Sequence, residues 1–145
     1  CMLSALGFAS GWIKWIMACV TSVNYRIWFN WDETEAFTPS RGLRQGDPLS
    51  PYLFLICAEG LSSLLAHEEA VGGIQGIRVC RSAPSVSHLL FADDTLLFFE
   101  ATSEQAENVK AALLMYESAT GQSLNLDKCS IFFGAACLGA VQEQV

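Results

Sequence analysis

Two adjacent carboxylates, Asp93 and Asp94, lie between the apolar runs 89–91 and 96–99. Like charges held side by side next to a core repel one another, and a divalent cation that takes oxygen ligands, magnesium first among them, would relieve that repulsion. The flanks predict a tight antiparallel hairpin with both carboxylates at its tip and Leu90 near Leu97 across it. A solvated Asp-Asp turn is the competing account, since aspartate is common in turns. A second group sits in the loop PSRGLRQGDPLSP at 39–51, with three prolines, two glycines and two arginines. Turn chemistry accounts for the glycines and prolines, and Asp47 or Ser50 can cap the helix that follows. Packing asks for no such trio as Arg41, Arg44 and Gln45 ahead of a helix N-terminus, whereas a phosphate would. An ordinary charged loop is the alternative. A third group, GQSLNLDK at 121–128, reads as a helix stop and a polar turn, in which Lys128 taken alone is a solvated surface residue. His88 reads as a partly buried structural histidine.

The elements that must position these groups follow from periodicity. Trp12, Trp15, Ile16, Cys19 and Val20 recur at helical spacing, which predicts a helix over residues 3–21 with one apolar face. Residues 25–31 are aromatic and β-branched, the polar 32–35 follow, and 36–38 return to apolar character, the pattern of a hairpin with its turn at 32–35. Ser50 before Pro51 reads as an N-cap with proline in the first helical position. From there Leu53, Ile56, Cys57, Gly60, Leu61 and Leu64 trace a buried stripe to about residue 67. Gly72 and Gly73 break the chain, and 74–80 reads as a short strand. Thr102 and Gln105 have capping-box spacing ahead of a helix with the face Ala106, Val109, Leu113 and Tyr116, ended by Gly121. Residues 131–133 read as a last strand, and the tail beyond 134 carries no signal.

Composition bounds the whole. A chain of 145 residues has material for one domain, and 52% apolar against 16% charged residues argues against disorder. So small a charged fraction also implies a surface patch meant to be covered by something else. The net charge of −7 has the wrong sign for gripping phosphates, so any basic surface must lie in other segments. Six cysteines without CxxC pairs or zinc-finger spacing read as reduced thiols, and an intracellular rather than secreted chain is expected. Lys14 interrupts the apolar residues 1–20, and Glu59 sits within 49–65, so no stable membrane insertion is expected. Cys1 in the first position suggests a fragment.

Taken in order, GLRQGDPLSPYLF at 42–54, SHLLFADDTLLF at 87–98 and GQSLNLDKCSIFF at 121–133 resemble the non-LTR (LINE-type) retrotransposon reverse transcriptases, the plant elements in particular. The intervals match as well, and the resemblance runs from about residue 3 to 134. It implies an α+β fold, an incomplete polymerase palm in which an antiparallel sheet carries the catalytic carboxylates and helices cover its other face. One partial domain would fill 1–145, with helix, hairpin and loop over 1–47, palm core over 48–134 and a tail over 135–145. By the same resemblance Asp93 binds catalytic magnesium and Asp94 supports it. Arg44, Gln45 and Gly46 contact the incoming nucleotide, with Gly46 allowing close approach, and Lys128 acts near the leaving pyrophosphate. The partners implied are an RNA template, a DNA primer and deoxynucleoside triphosphates, together with fingers and thumb segments absent from this chain.

One departure matters. Polymerase palms carry a further aspartate on a strand upstream of the first helix here, and no residue of this chain matches it; Asp32, the nearest acid, stands in a polar turn. The resemblance therefore implies part of an RNA-directed DNA polymerase working by two-metal nucleotidyl transfer, inactive in isolation. A catalytically silent retroelement relic and a small apolar protein-interaction module are the alternatives.

Overall fold

A computed structural model describes residues 2–135, 137 and 139–142. The chain divides into two compact units, residues 1–57 and 58–145. Helices and small antiparallel sheets make up both, and the strands pair as two separate hairpins. Among the described residues no helix is long and apolar enough to cross a membrane.

In the first unit the long helix expected over 3–21 is broken in two, α1 (Met2–Ala5) and α2 (Ser10–Thr21). Gly7 takes the left-handed φ of 82° and Ala9 is extended, so the chain leaves one helix and enters the next. Phe8, in the gap, stacks on Trp12 with ring centroids 4.5 Å apart. Ile16 is buried, whereas Trp15 on the same periodic face is 77% exposed. The aromatic hairpin forms as β1 (Trp28–Phe29) and β2 (Asp32–Glu33). Its turn is Asn30-Trp31, two residues ahead of the expected position. Both take positive φ, 48° and 68°, as a two-residue turn matched to the twist of its strands requires. Tyr25 and Phe37 extend the pairing as an isolated bridge.

Helix α3 (Ser50–Ala70) begins in the first unit and ends in the second. Its first intrahelical bond runs from the Leu53 N–H to the Leu49 carbonyl at 3.0 Å, so the helix starts a residue earlier than the proline pattern suggests. The capping role expected of Ser50 is not what its hydroxyl does: it donates to the Arg44 carbonyl, 2.7 Å away, and holds the preceding loop. Asp47 accepts from the Leu49 N–H at 2.8 Å instead.

The second unit has a defined core. Leu61 and Leu65 from α3, Ile74 beyond it, and Val109 and Ala112 from α4 (Ser103–Thr120) are buried together. Leu65 has no exposed surface at all. Gly72, with φ 81°, ends α3 and turns the chain so that Ile74 drops into this core. Residues 74–80 do not form the expected strand. Pairing is confined to Ile77 and Val86, because the Cys80–Ala83 turn, closed at 3.0 Å, ends it at once. The Gln75 N–H is met by the Gln105 side chain at 2.8 Å rather than by a ladder. Strands β3 (His88–Phe91) and β4 (Asp94–Leu97) form the second hairpin, with His88 opposite Leu97, Leu89 opposite Leu96, Leu90 opposite Thr95 and Phe91 opposite Asp94. Leu90 and Leu97 are thus diagonal neighbours on one face, and both pack on the core.

Half of the capping box at α4 is present. The Thr102 hydroxyl accepts from the Gln105 N–H at 3.3 Å, but the side-chain Oε1 of Gln105 accepts from the N–H groups of Gln75 and Glu100. Gly121, at φ 72°, closes the helix by donating to Glu117 at 2.8 Å. A 3-10 turn, Leu126–Lys128, and a short α5 (Gly139–Gln142) follow. Residues 131–133 are not a strand: Phe132 is 91% exposed, and a three-residue apolar run becomes a strand only when a neighbour pairs with it.

Candidate functional site

The hairpin β3–β4 separates its two carboxylates structurally. The turn residues are Ala92 and Asp93, whereas Asp94 is the first residue of β4, paired with Phe91. Ala92 takes φ 50°, the left-handed conformation such a short connection needs and one that alanine adopts at a cost. Both carboxylates are exposed. Asp94 shares its face with Leu89, Phe91 and Leu96, all more than half exposed, while the opposite face carries Leu90 and Leu97 onto the core. Carboxylate oxygens are the hard donors magnesium prefers, and this ion commonly takes one or two of them and completes its shell with water and substrate phosphates. In donor chemistry the Asp93–Asp94 pair fits that role. Among the described residues no third acidic, histidine or cysteine side chain joins them as a metal cluster.

Behind the tip stands a polar cluster around His88, which is partly buried as its sequence reading expects. His88 lies with Nε2 2.6 Å from the Ser62 hydroxyl of α3 and Nδ1 3.1 Å from the Ser87 hydroxyl. Ser87 is 4% exposed. Glu69, two turns beyond Ser62 on α3, accepts from the Ser85 hydroxyl, which does most to hold its carboxyl below the usual range; burial opposes this, and Ser87, the Gly76 backbone and the nearby His88 add to the lowering. The sequence signal for the cluster is the Ser-His pair immediately before an apolar run; its partners Ser62 and Glu69 on α3 carry none.

The nucleotide-binding candidates belong to the first unit. Arg44, Gln45 and Gly46 are exposed in the loop ahead of α3, where Gly42 and Gly46 take φ 86° and 83°. The Arg44 carbonyl is held by the Ser50 hydroxyl at 2.7 Å and the Asp47 N–H at 3.3 Å, so the loop is tied to the helix start. Arg44 and Asp47 also line a shallow cleft with Cys19, Tyr25 and Leu53. Gln45 and Arg41 do not line it. Lys128 is exposed at the end of its 3-10 turn, which Asn125 caps by accepting from the Asp127 N–H at 3.2 Å.

Residues 2–144 match the family described as reverse transcriptase (RNA-dependent DNA polymerase). Similarity to a Pol polyprotein from the type-2 retrotransposable element R2DM of Drosophila melanogaster is 34% identity over 131 residues, 88% of this chain and 11% of that protein. For a Pol polyprotein from a type-1 retrotransposable element R2 of Popillia japonica it is 31% over 137 residues, 94% of this chain and 22% of that protein. An uncharacterized mitochondrial protein of Arabidopsis thaliana is 62% identical over 58 residues, 40% of this chain and 48% of its own length. The chain thus spans less than half of each of these relatives.

Proposed function

This chain belongs to the reverse transcriptase family, and we propose that it contributes the carboxylate-bearing part of a non-LTR, plant-type polymerase palm that extends a DNA primer on an RNA template. The observation that carries this is the tight hairpin whose turn and first strand residue present Asp93 and Asp94 to solvent while Leu90 and Leu97 anchor it on a core. Residues 1–145 would form one partial domain, with 48–134 as its palm core.

In this reading Asp93 and Asp94 hold magnesium. Bound there, magnesium lowers the pKa of the primer 3′-hydroxyl and offsets charge on the triphosphate, in the manner of two-metal nucleotidyl transfer. Arg44 offers a planar guanidinium fork to phosphate oxygens, Gln45 offers amide hydrogen bonds to the incoming nucleotide, and Gly46 keeps the backbone bare for close approach. Lys128 supplies a cation for the leaving pyrophosphate. The protein's share of such chemistry is position and charge rather than covalent participation. With a net charge of −7, grip on template and primer falls to fingers and thumb segments beyond these residues.

We further infer that the 145-residue chain does not extend a primer alone, because no third carboxylate joins the pair among the described residues. A primer-extension assay with an RNA template, magnesium and all four deoxynucleotides tests both statements. No extension is expected from residues 1–145. A longer polypeptide that adds a preceding strand with a further aspartate is expected to extend the primer and to lose that activity by orders of magnitude on Asp93→Asn. Extension by the short chain that vanishes in Asp93→Asn would overturn the second statement, and an active longer polypeptide indifferent to Asp93→Asn would overturn the first.

A further inference from the structure

Residues 85–88, which lead into β3, are gripped by α3 at points seven residues apart, Ser62 and Glu69. That spacing places both on one face of the helix, roughly 10 Å apart along its axis. The hydroxyl of Ser62 reaches His88 Nε2 at 2.6 Å, and His88 Nδ1 reaches the Ser87 hydroxyl at 3.1 Å. Serine hydroxyls can each donate or accept, so Ser62 and Ser87 can hold the ring from both nitrogens. Every polar atom in this series then has its partner, which matters because Ser87 is 4% exposed and an unmet hydroxyl there is costly.

An isolated two-stranded hairpin is marginal in water, and leucine contacts alone hold it without fixing its direction. We propose that His88 is a positioning residue: held between Ser62 and Ser87, it locks the entry of the β3–β4 hairpin to helix α3 and so sets the orientation of Asp93 and Asp94. The orientation of that pair matters for metal binding only if the pair is the metal-binding site, and to that extent the proposal rests on the function inferred above. The lock itself does not depend on it.

The test uses the whole chain with nitrogen-15 in its histidines, alongside His88→Phe, His88→Gln and Ser62→Ala. The imidazole nitrogen shifts of His88 are expected to report a single tautomer, as a ring held at both nitrogens should. Amide exchange at Leu90 and Thr95 is expected to rise about tenfold in His88→Phe and Ser62→Ala, roughly what one lost buried hydrogen bond does to a local opening equilibrium, while exchange at Val109 in α4 stays as it was. His88→Gln, whose amide can accept from Ser62 and donate to Ser87, is expected to restore most of the protection. A mixture of tautomers, hairpin exchange unchanged in both variants, or an equal rise at Val109 overturns the proposal. Should His88→Phe fail to fold, Ser62→Ala decides, since it removes a single hydroxyl. Manganese, followed by its paramagnetic broadening, separates the two readings. Binding that is lost in Asp93→Asn supports the carboxylate site, and His88→Phe should then weaken it measurably. Unchanged manganese affinity in His88→Phe counts against His88. No manganese binding in the unaltered chain counts against the carboxylate site, and the exchange measurements still decide the lock.

Discussion

At Cys80 an exposed thiol has its sulfur 3.5 Å from the Ser82 hydroxyl. Hydrogen bonds from that side chain first, then from the backbone of Ser82 and Ala83, hold its pKa below the usual thiol value. Burial does the reverse at Cys57, pushing its thiol up. Since the thiolate is the nucleophile, alkylation by iodoacetamide near neutral pH should modify Cys80 well before Cys57. Ser82→Ala should slow Cys80 and leave Cys57 alone; equal rates at both cysteines would show that the serine does nothing. The sequence already places Cys57 on the buried stripe of its helix, but nothing in it sets Cys80 apart. Nothing in a string of residues says that Ser82 turns back toward Cys80, because a turn closed by the Ala83 N–H and the Cys80 carbonyl brings them together.

Among the elements, the hairpin with the carboxylates was the easiest to foresee and the least exact in its detail. Two apolar runs around a polar centre announce a hairpin, but they do not say where the turn falls. A four-residue turn at 92–95 reads equally well from pattern alone. The structure settles on Ala92-Asp93 and draws Asp94 and Thr95 into the strand, which gains ladder hydrogen bonds and places a non-glycine residue at φ 50°. The same ambiguity moved the turn of the first hairpin to Asn30-Trp31. The start and stop of α4 were more legible, because Thr102 and Gly121 act through their own chemistry, whereas the break at Gly7 and the role of Ser50 were not. Strands over 74–80 and 131–133 were not, because a strand exists only by virtue of its partner. For the turn at Ala92 the consequence is measurable. Left-handed alanine costs about 1–2 kcal/mol, and glycine gives part of that back as entropy in the unfolded chain, so Ala92→Gly should stabilise by about 0.5–1 kcal/mol in a urea titration. A loss of stability would mean that the alanine methyl makes a contact worth more than the strain.

Over the molecule as a whole, the acidic, weakly charged composition has a visible counterpart in aromatic groups left in water. Trp31 is 92% exposed, Phe91 81% and Trp15 77%. Exposed apolar area on that scale favours association. The chain alone should bind a dye such as anilinonaphthalene sulfonate and sediment as concentration-dependent oligomers; a monodisperse monomer that leaves the dye dark would count against an exposed apolar surface. The β3–β4 hairpin takes part in this, since Leu89 and Leu96 face outward directly behind Leu90 and Leu97. Leucine on both faces has an effect on error tolerance. In most half-buried sheets a slip of one residue drags polar groups into the core and is rejected for that reason. Here a slipped strand would bury one leucine in place of another, and oil and water would scarcely notice the mistake. The side chain that would register it is His88, swung out of reach of Ser62, so in this hairpin the reading frame of the fold is kept by an imidazole rather than by grease.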